Sequence, residues 1–599
     1  MEEGLRTIAP HQASDLLRQL DRGETPSWGS AAPSPSTDLN VGEADEGSGR
    51  LLYDPDGTIR YLGESSGATF LDQLKQFMRT LMGSLTFVPG PEDGSTFLGS
   101  VGCYQTYDSR PLTNPVVDPT WLPEPPMMIQ MLHELRQYIQ DGDGAFESGG
   151  IHWWGDLSKV PARAGPPSIM GLTTDDQSRH LAFYHVCFAL SVSIGHTALK
   201  LPEHQYGDAY FKRARMLLGN PMDTVRFTLS DVPALSLMGY YLIEVNRRDA
   251  AYIYVSLAVH IAIIHGSFMH TADEASKRAF WTLYIMDRWI SMLMGRPPII
   301  PDEAIRLPLP AYDPSMPPCI GMCANIELAR ISGFIVRETY GIAPKCPRAA
   351  GSEANVDAAL KMLDEWRSRL PGKLQNPLEQ TPLDPACCTL HMSYNQLIIL
   401  TTRPVFFAAV KKAVAEQVLS DLCSSEGASH GKHTRTCTEA AQRNLDLARL
   451  LQSTNRNWLQ SGLHFLFNAA VVLLLNRISW ACEDKVDSDR AIEGPHAAEI
   501  GFAIHIFEQE AKTGTNYPRD CCRVLQDLKV LTDRFVLTRC EADSQQRPIM
   551  RCFDSSISQS ATPSQQRPMH GSSDESHLYQ EMISWVHPNG LQLQNTLHI

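Results

Sequence analysis

From about Asp175 to Ile300 apolar residues recur every three or four positions, with polar residues or Gly/Pro breaks between the runs. That period is helical, and no strand-like alternation of comparable length competes with it. The runs HLAFYHVCFALSVSIGHTAL, DAYFKRARMLLG, LSDVPALSLMGYYLIEVN, AAYIYVSLAVHIAIIHG and DEASKRAFWTLYIMDRWISMLMG each predict a helix of about three turns or more. Further helices are predicted over Met127–Gln140, Ala324–Tyr340, Asn355–Arg369, Thr389–Leu400, Thr438–Ser453, Gly462–Ala481 and Pro495–Lys512. Helix–break–helix units of this size stack as antiparallel pairs. The expected fold is therefore all-α: paired antiparallel helices in a large helical domain over 127–540.

The ends read differently. Apart from a short helix at Ala13–Leu20, residues 1–50 are dominated by Pro, Ser, Gly and acids, the composition of a disordered linker. Residues 51–126 hold a strand–turn–helix motif and then the Pro-rich connection VVDPTWLPEPP. Residues 541–575 are rich in Ser, Gln and Pro, so 541–599 reads as a disordered tail.

Charge and cysteine usage narrow the function. The 599-residue chain is 43% hydrophobic and carries a net charge of −15. An acidic chain is repelled by phosphate backbones unless its cations gather on one face. Its basic clusters, Arg247-Arg248, Lys411-Lys412 and Lys432 to Arg435, are too small for a nucleic-acid arm. The start, MEEGLRTIAPHQ, lacks the apolar region of a secretory signal. Leu463–Leu475 is the most apolar stretch; it reads as too short for a bilayer and as a buried helix, so no membrane partner is expected. The 14 cysteines include no paired C-x-x-C motifs and read as reduced core residues.

Two motifs invite chemistry. GESSG, Gly63–Gly67, fits the nucleophile elbow G-x-S-x-G, with Ser65 as nucleophile of a serine hydrolase. The downstream chain, however, offers helices where an elbow needs a parallel sheet. His260, His265 and His270 are spaced by five, which does not put ligands on one helix face. No H-E-x-x-H, P-loop or G-x-G-x-x-G is present, so catalytic, cofactor and metal residues are assigned to none.

The stretch with most internal logic is Ala272–Pro310. Phe280, Leu283, Tyr284, Met286, Ile290, Leu293 and Met294 form one wide apolar face. Asp273 and Glu274 suit the first turn, Gly295 the left-handed C-terminal position, and Pro297-Pro298 forbid continuation. Asp287 lies among apolar residues and needs a partner, whether Arg288, Arg296 or a neighbouring helix.

This block resembles the signature of the fungal-specific transcription factor domain, the helical middle homology region of fungal zinc-cluster regulators. Lys277-Arg278, Phe280-Trp281, Asp287-Arg288, Gly295-Arg296-Pro297 and Leu309-Pro310 occupy the family's positions. The resemblance is strongest over 272–310 and extends over about 175–420, including Thr402-Arg403-Pro404; the preceding helix departs from it, ending in HGSFMH. It implies a nuclear, non-enzymatic regulator of RNA polymerase II transcription, usually of a metabolic or secondary-metabolite pathway. It also implies a DNA-binding module with six cysteines and zinc. The first cysteine here is Cys103, alone, so DNA and zinc binding are implied by the family and not by these residues. Either an upstream exon is missing or the protein acts through a DNA-binding partner or as a homodimer.

Two further expectations follow. Ser573–Pro588 sets acids beside Leu578, Tyr579, Met582, Ile583 and Trp585, a mix suited to an activation segment that engages coactivators or the transcription machinery, or to a terminal helix that docks back. A cavity between helix pairs is expected to accept a small-molecule effector. Against the regulator stand the hydrolase using Ser65 and an interaction scaffold without transcriptional output. The GESSG stretch also resembles a segment that zinc-cluster regulators carry ahead of their helical domain, in which Ser65 or Ser66 would cap the helix through Leu71, Leu74 and Phe77.

Overall fold

The computed structural model describes residues 49–54, 57–83, 94–103, 112, 117–161, 179–194, 207–219, 227–271, 273–343, 353–379, 382–418, 431–454, 458–483, 494–513, 516–544 and 580–585. They belong to one unit, Gly47–Ile599. The helix expected at Ala13–Leu20, the linker up to residue 48 and most of the expected tail lie outside the described residues.

A two-stranded antiparallel hairpin opens the fold: β1, Arg50–Tyr53, pairs with β2, Ile59–Leu62. The residues after it form α1, Gly67–Gly83. Everything else of length is helix: α2 Pro125–Leu135, α3 Leu181–Ile194, α4 Gly207–Leu218, α5 Asp231–Glu244, α6 Arg248–Ile264, α7 Glu274–Met294 and α8 Ile320–Phe334. The chain continues with α9 Glu353–Arg369, α10 Pro385–Val418, α11 Gly431–Gln452, α12 Gln460–Glu483, α13 Ala497–Glu510 and α14 Asn516–Ser544. The closest neighbours are mostly consecutive (α3 with α4, α5 with α6, α10 with α11, α11 with α12), so the all-α architecture of paired antiparallel helices is what the chain adopts.

Two hydrophobic cores divide the unit. One gathers α2 to α7 with part of α8, around Phe188, Tyr210, Met238 and Trp281. The other gathers α1 and α9 to α14 with the rest of α8, around Phe77, Trp366, Phe406 and Leu466. Helices α7 and α8 contribute to both.

Several elements differ from expectation. The helix predicted to stop at Leu400 runs on through Pro404 to Val418. Proline removes the N–H that would bond Leu400 O, and the Tyr340 hydroxyl donates to that carbonyl instead, at 2.6 Å. Helix α14 was not foreseen; it also carries helix into residues 541–544, where the tail was expected to begin. The apolar run around Leu463–Leu475, read as too short for a bilayer, belongs to a longer helix, and Gln460–Cys482 is long and apolar enough to cross one. Its apolar window is 83% buried inside the protein, so its apolar surface is met by other helices.

Candidate functional site

The block Ala272–Pro310 folds as a helix and a clamp. Asp273 caps α7, its carboxylate accepting from Ser276 N at 2.7 Å. Gly295 ends it in the left-handed conformation, φ 62°. The extended chain that follows is held along α7 by side chains pointing back at its carbonyls. Trp281 Nε1 donates to Pro308 O at 2.9 Å, while Arg278 donates to Pro317 O and Ala311 O. Phe280 is buried, edge-on to Trp281. The thiols of Cys319 and Cys323 both point at Pro310 O.

Asp287 and Arg288 form the centre of this clamp. Arg288 Nη1 donates to Asp287 Oδ2 at 2.6 Å, and its other nitrogen reaches Ile300 O and Asp302 Oδ1. Asp287 in turn accepts from Ile299 N at 3.2 Å, which fixes the chain just past Pro297-Pro298. Burial lifts the Asp287 carboxyl to about 6, with the Arg288 charge and the backbone amides pulling it back. Asp287 is thus engaged in structure on every side.

GESSG lies against the end of the same helix. Gly63 N donates to Met294 O at 3.1 Å, and the Gly63 and Gly295 backbones approach so closely that a Cβ on either would collide with the other. Ser65 is 3% exposed and its hydroxyl donates to Met292 O at 3.0 Å. Ser66, not Ser65, caps α1, accepting from Thr69 N at 3.1 Å. Arg403 donates to the carbonyls of Glu64 and Ser65 and stacks on Phe70. Arg296 ties the hairpin down through Asp249, at 2.8 Å, and Tyr61 O, and stacks on Tyr252, whose hydroxyl donates to Pro297 O. Among the described residues there is no parallel sheet to carry a triad, and Ser65 presents no free hydroxyl to a substrate.

Where the two cores meet, a cavity of about 100 Å³ opens between α7, α8, α10 and the start of α12. Its walls carry the rings of Tyr138, His152, Tyr240, Trp289 and Phe465. Tyr138 sits on a π-helical turn, Arg136–Gln140, that continues α2, and a second π turn, Ile335–Thr339, extends α8 beyond the lining residue Ser332. Most polar lining groups are already engaged: Asn325 donates to Ile151 O, and the hydroxyls of Thr389 and Ser393 bond within their own helix. Three buried polar atoms have no partner: Trp289 Nε1, Gln396 Oε1 and Arg288 Nε. Burial holds His152 down to about 4, so its imidazole is neutral. A cavity between helix pairs was expected, but none of its residues could be named in advance, because they come from segments scattered between residues 138 and 465.

The C-terminal segment lies elsewhere. Leu578 and Tyr579 are outside the described residues, while 580–585 form a helical turn against α1 and α10. Met582 is 1% exposed and sits with Ala415 and Val418. Trp585 meets the ring of Phe77 at 5.4 Å and the Lys411 ammonium at 5.8 Å, Ile583 packs beside them, and Glu581 accepts from Thr80. His260 and His265 bond to the carbonyls of Ser256 and Phe227. Among the described residues no cluster of three or more His, Cys, Asp or Glu side chains is placed to hold a metal ion.

Comparison with known proteins finds likenesses over part of the chain. Residues 172–319 match the fungal specific transcription factor domain. A transcriptional regulatory protein of Schizosaccharomyces pombe is 24% identical over 82% of this chain and 60% of its own length. The thiamine repressible genes regulatory protein of the same yeast is 27% identical over 43% of this chain and 34% of its own. The acetamidase regulatory protein of Aspergillus fumigatus is 26% identical over 48% and 36%. The chain thus spans about 60% of the first of these relatives and about a third of the other two. No solved structure matches the chain. Residues 172–319, which include α3 to α7, thus match the fungal specific transcription factor domain, and the relatives that this chain resembles are fungal regulatory proteins.

Proposed function

We propose that the chain is the regulatory part of a nuclear regulator of RNA polymerase II transcription, acting on a metabolic or secondary-metabolite pathway and without enzymatic activity of its own. The observation that carries this is the domain match over 172–319, which takes in α3 to α7 and the Asp287–Arg288 clamp. Relatives named for thiamine-repressible genes and for acetamidase favour a metabolic pathway. Zinc and DNA contact would come from a module of the family's kind or from a DNA-binding partner or second copy, since none of the described residues forms a metal cluster. Segment 573–588 is the part that would meet coactivators, and the cavity between the cores is the part that would sense a small-molecule effector.

The test is a reporter assay. The whole chain is fused to a heterologous DNA-binding domain in a fungal host, and a fluorescent copy is followed in the cell. Nuclear accumulation and a reporter level that departs from the unfused DNA-binding domain are expected. A cytosolic protein with no effect on the reporter would overturn the reading.

A further inference from the structure

We infer that Cys319 and Cys323, at the start of α8, form a two-thiol site for trivalent arsenic, taken as arsenous acid or as an organic arsenoxide. The inference goes beyond the regulator reading and does not need it.

Geometry comes first. Cys319 is the N-cap residue of α8, and Cys323 closes its first turn, Cys323 N donating to Cys319 O at 2.9 Å. Side chains four apart on a helix are neighbours, with Cβ atoms about 5–6 Å apart. Both thiols donate to one acceptor, Pro310 O, at 3.7 and 3.5 Å, and they are hydrogen-bonded neighbours of each other. Both are partly exposed, unlike the adjacent pairs Cys387-Cys388 and Cys521-Cys522, which are buried. One centre arriving from solvent can therefore reach both sulfurs.

The donor set narrows the class. Among the described residues no cluster of three or more His, Cys, Asp or Glu side chains is placed to hold a metal ion, whereas a structural zinc site takes four such ligands. Copper(I) held by two thiolates sets them on opposite sides in a near-linear arrangement, and these sulfurs lie side by side. Trivalent arsenic is pyramidal: two adjacent sulfurs and one outward group complete it.

The thiol protons favour the same class. Burial holds the Cys323 thiol up at about 12; the charge of a Cys319 thiolate, the hydrogen bond with Cys319 and Glu327 act with it, and the Arg278 guanidinium acts against it. A metal cation has to expel both protons, which a thiol held that high resists. Arsenous acid does not. Each S–H proton passes to an As–OH group, the As–O bond breaks, an S–As bond forms, and two waters leave. Nothing is oxidised or reduced.

The position of the pair gives binding a consequence. Pro310 lies in the extended chain held along α7, between Pro308, whose carbonyl accepts from Trp281, and Ala311, whose N–H donates to Glu274 at 2.8 Å. Arsenic on both sulfurs takes both S–H donors away from Pro310 O and loosens the chain there.

The test uses the purified, reduced full chain, phenylarsine oxide as the probe, and N-ethylmaleimide labelling mapped at each cysteine by mass spectrometry. One equivalent of the probe is expected to slow labelling of Cys319 and Cys323 at least tenfold, and 2,3-dimercaptopropanol should restore it. Cys319→Ser and Cys323→Ser, which keep a donor to Pro310 O, should each lose the protection at the remaining cysteine; if one fails to fold, the other decides. Zinc should protect neither residue. Unslowed labelling in the unmodified chain, protection that persists in a serine variant, or equal protection by zinc would each overturn the inference. Amide exchange at Ala311 should quicken several-fold in the adduct, and an unchanged rate would overturn the link to the clamp.

Discussion

Tyr340 takes over a hydrogen bond that Pro404 forfeits: its hydroxyl donates to Leu400 O, the carbonyl four residues before the proline, at 2.6 Å. The pairing lets α10 cross from the cavity to the far end of the second core without a break. Tyr340→Phe should cost about 1–3 kcal/mol, the penalty of a buried carbonyl left unmet. In a Pro404→Ala background the amide at 404 supplies the bond itself, so the same substitution should cost clearly less. A double-mutant cycle by urea unfolding measures the difference; equal costs in both backgrounds would refute the replacement.

The Gly63–Gly295 contact predicts a sharp positional contrast. Gly63→Ala puts a methyl into the Gly295 backbone and should destabilise on the order of 3 kcal/mol or prevent folding. Gly67→Ala, four residues on at the start of α1, meets only His464 at 3.5 Å and should be neutral or stabilising by up to about 1 kcal/mol. Thermal melts of the two variants suffice.

Stability should also depend on pH from two sides. Burial depresses His152 to about 4, His185 to about 3, and His464 well below its ordinary value. Below about pH 6.5 the unfolded chain therefore binds protons that the folded one refuses, and stability falls as the pH falls. Glu244 has the opposite sign: burial lifts it to about 8, its Oε1 without a partner, so its contribution is full below about 4.5 and is lost as pH rises to 8. Glu244→Gln should raise stability at pH 8 on the order of 3 kcal/mol and leave pH 4.5 unchanged. Urea midpoints at the two pH values read this out; a variant weakened at pH 8 would contradict it.

The docked C-terminal turn makes a prediction about regulation. Burying Met582 and the ring of Trp585 stabilises the closed arrangement by about 2–4 kcal/mol. Met582→Asp with Trp585→Ala should release residues 580–585, lost amide protection being read by hydrogen exchange, while the main thermal transition stays nearly in place. If the segment contacts coactivators, reporter output of the fused chain should rise several-fold. Release without any rise would assign the turn to packing alone.

What the sequence made legible was local and periodic. The caps of α7, Asp273 before it and Gly295 after it, were readable because each acts within a turn of its own position. Asp287 was readable as buried, but not its partner, since Ile299 N lies beyond a proline pair whose path only the fold decides; the bond from Trp281 to Pro308 O was hidden for the same reason. The stop placed at Leu400 was wrong because its remedy, Tyr340, lies 60 residues away. Helix α14 is legible too, though it was not foreseen: Val524, Leu525, Leu528 and Leu531 recur at helical spacing and are buried, with Asp527 and Lys529 off that face. The residues of the cavity had no local signal at all: Tyr138, Trp289 and Gln396 share nothing in the chain except where folding brings them.

The grip of Arg403 on Glu64 joins residues 339 positions apart. During synthesis at about 5–20 residues per second, the GESSG turn leaves the ribosome roughly 20 seconds to a minute before the arginine that holds it exists. Through that interval the apolar face of α1, with Leu74, Phe77 and Leu81, has none of its α10 partners. For a nascent chain, then, an early element among the described residues is one of the later ones to be secured, and its waiting apolar surface is one a chaperone would have to protect.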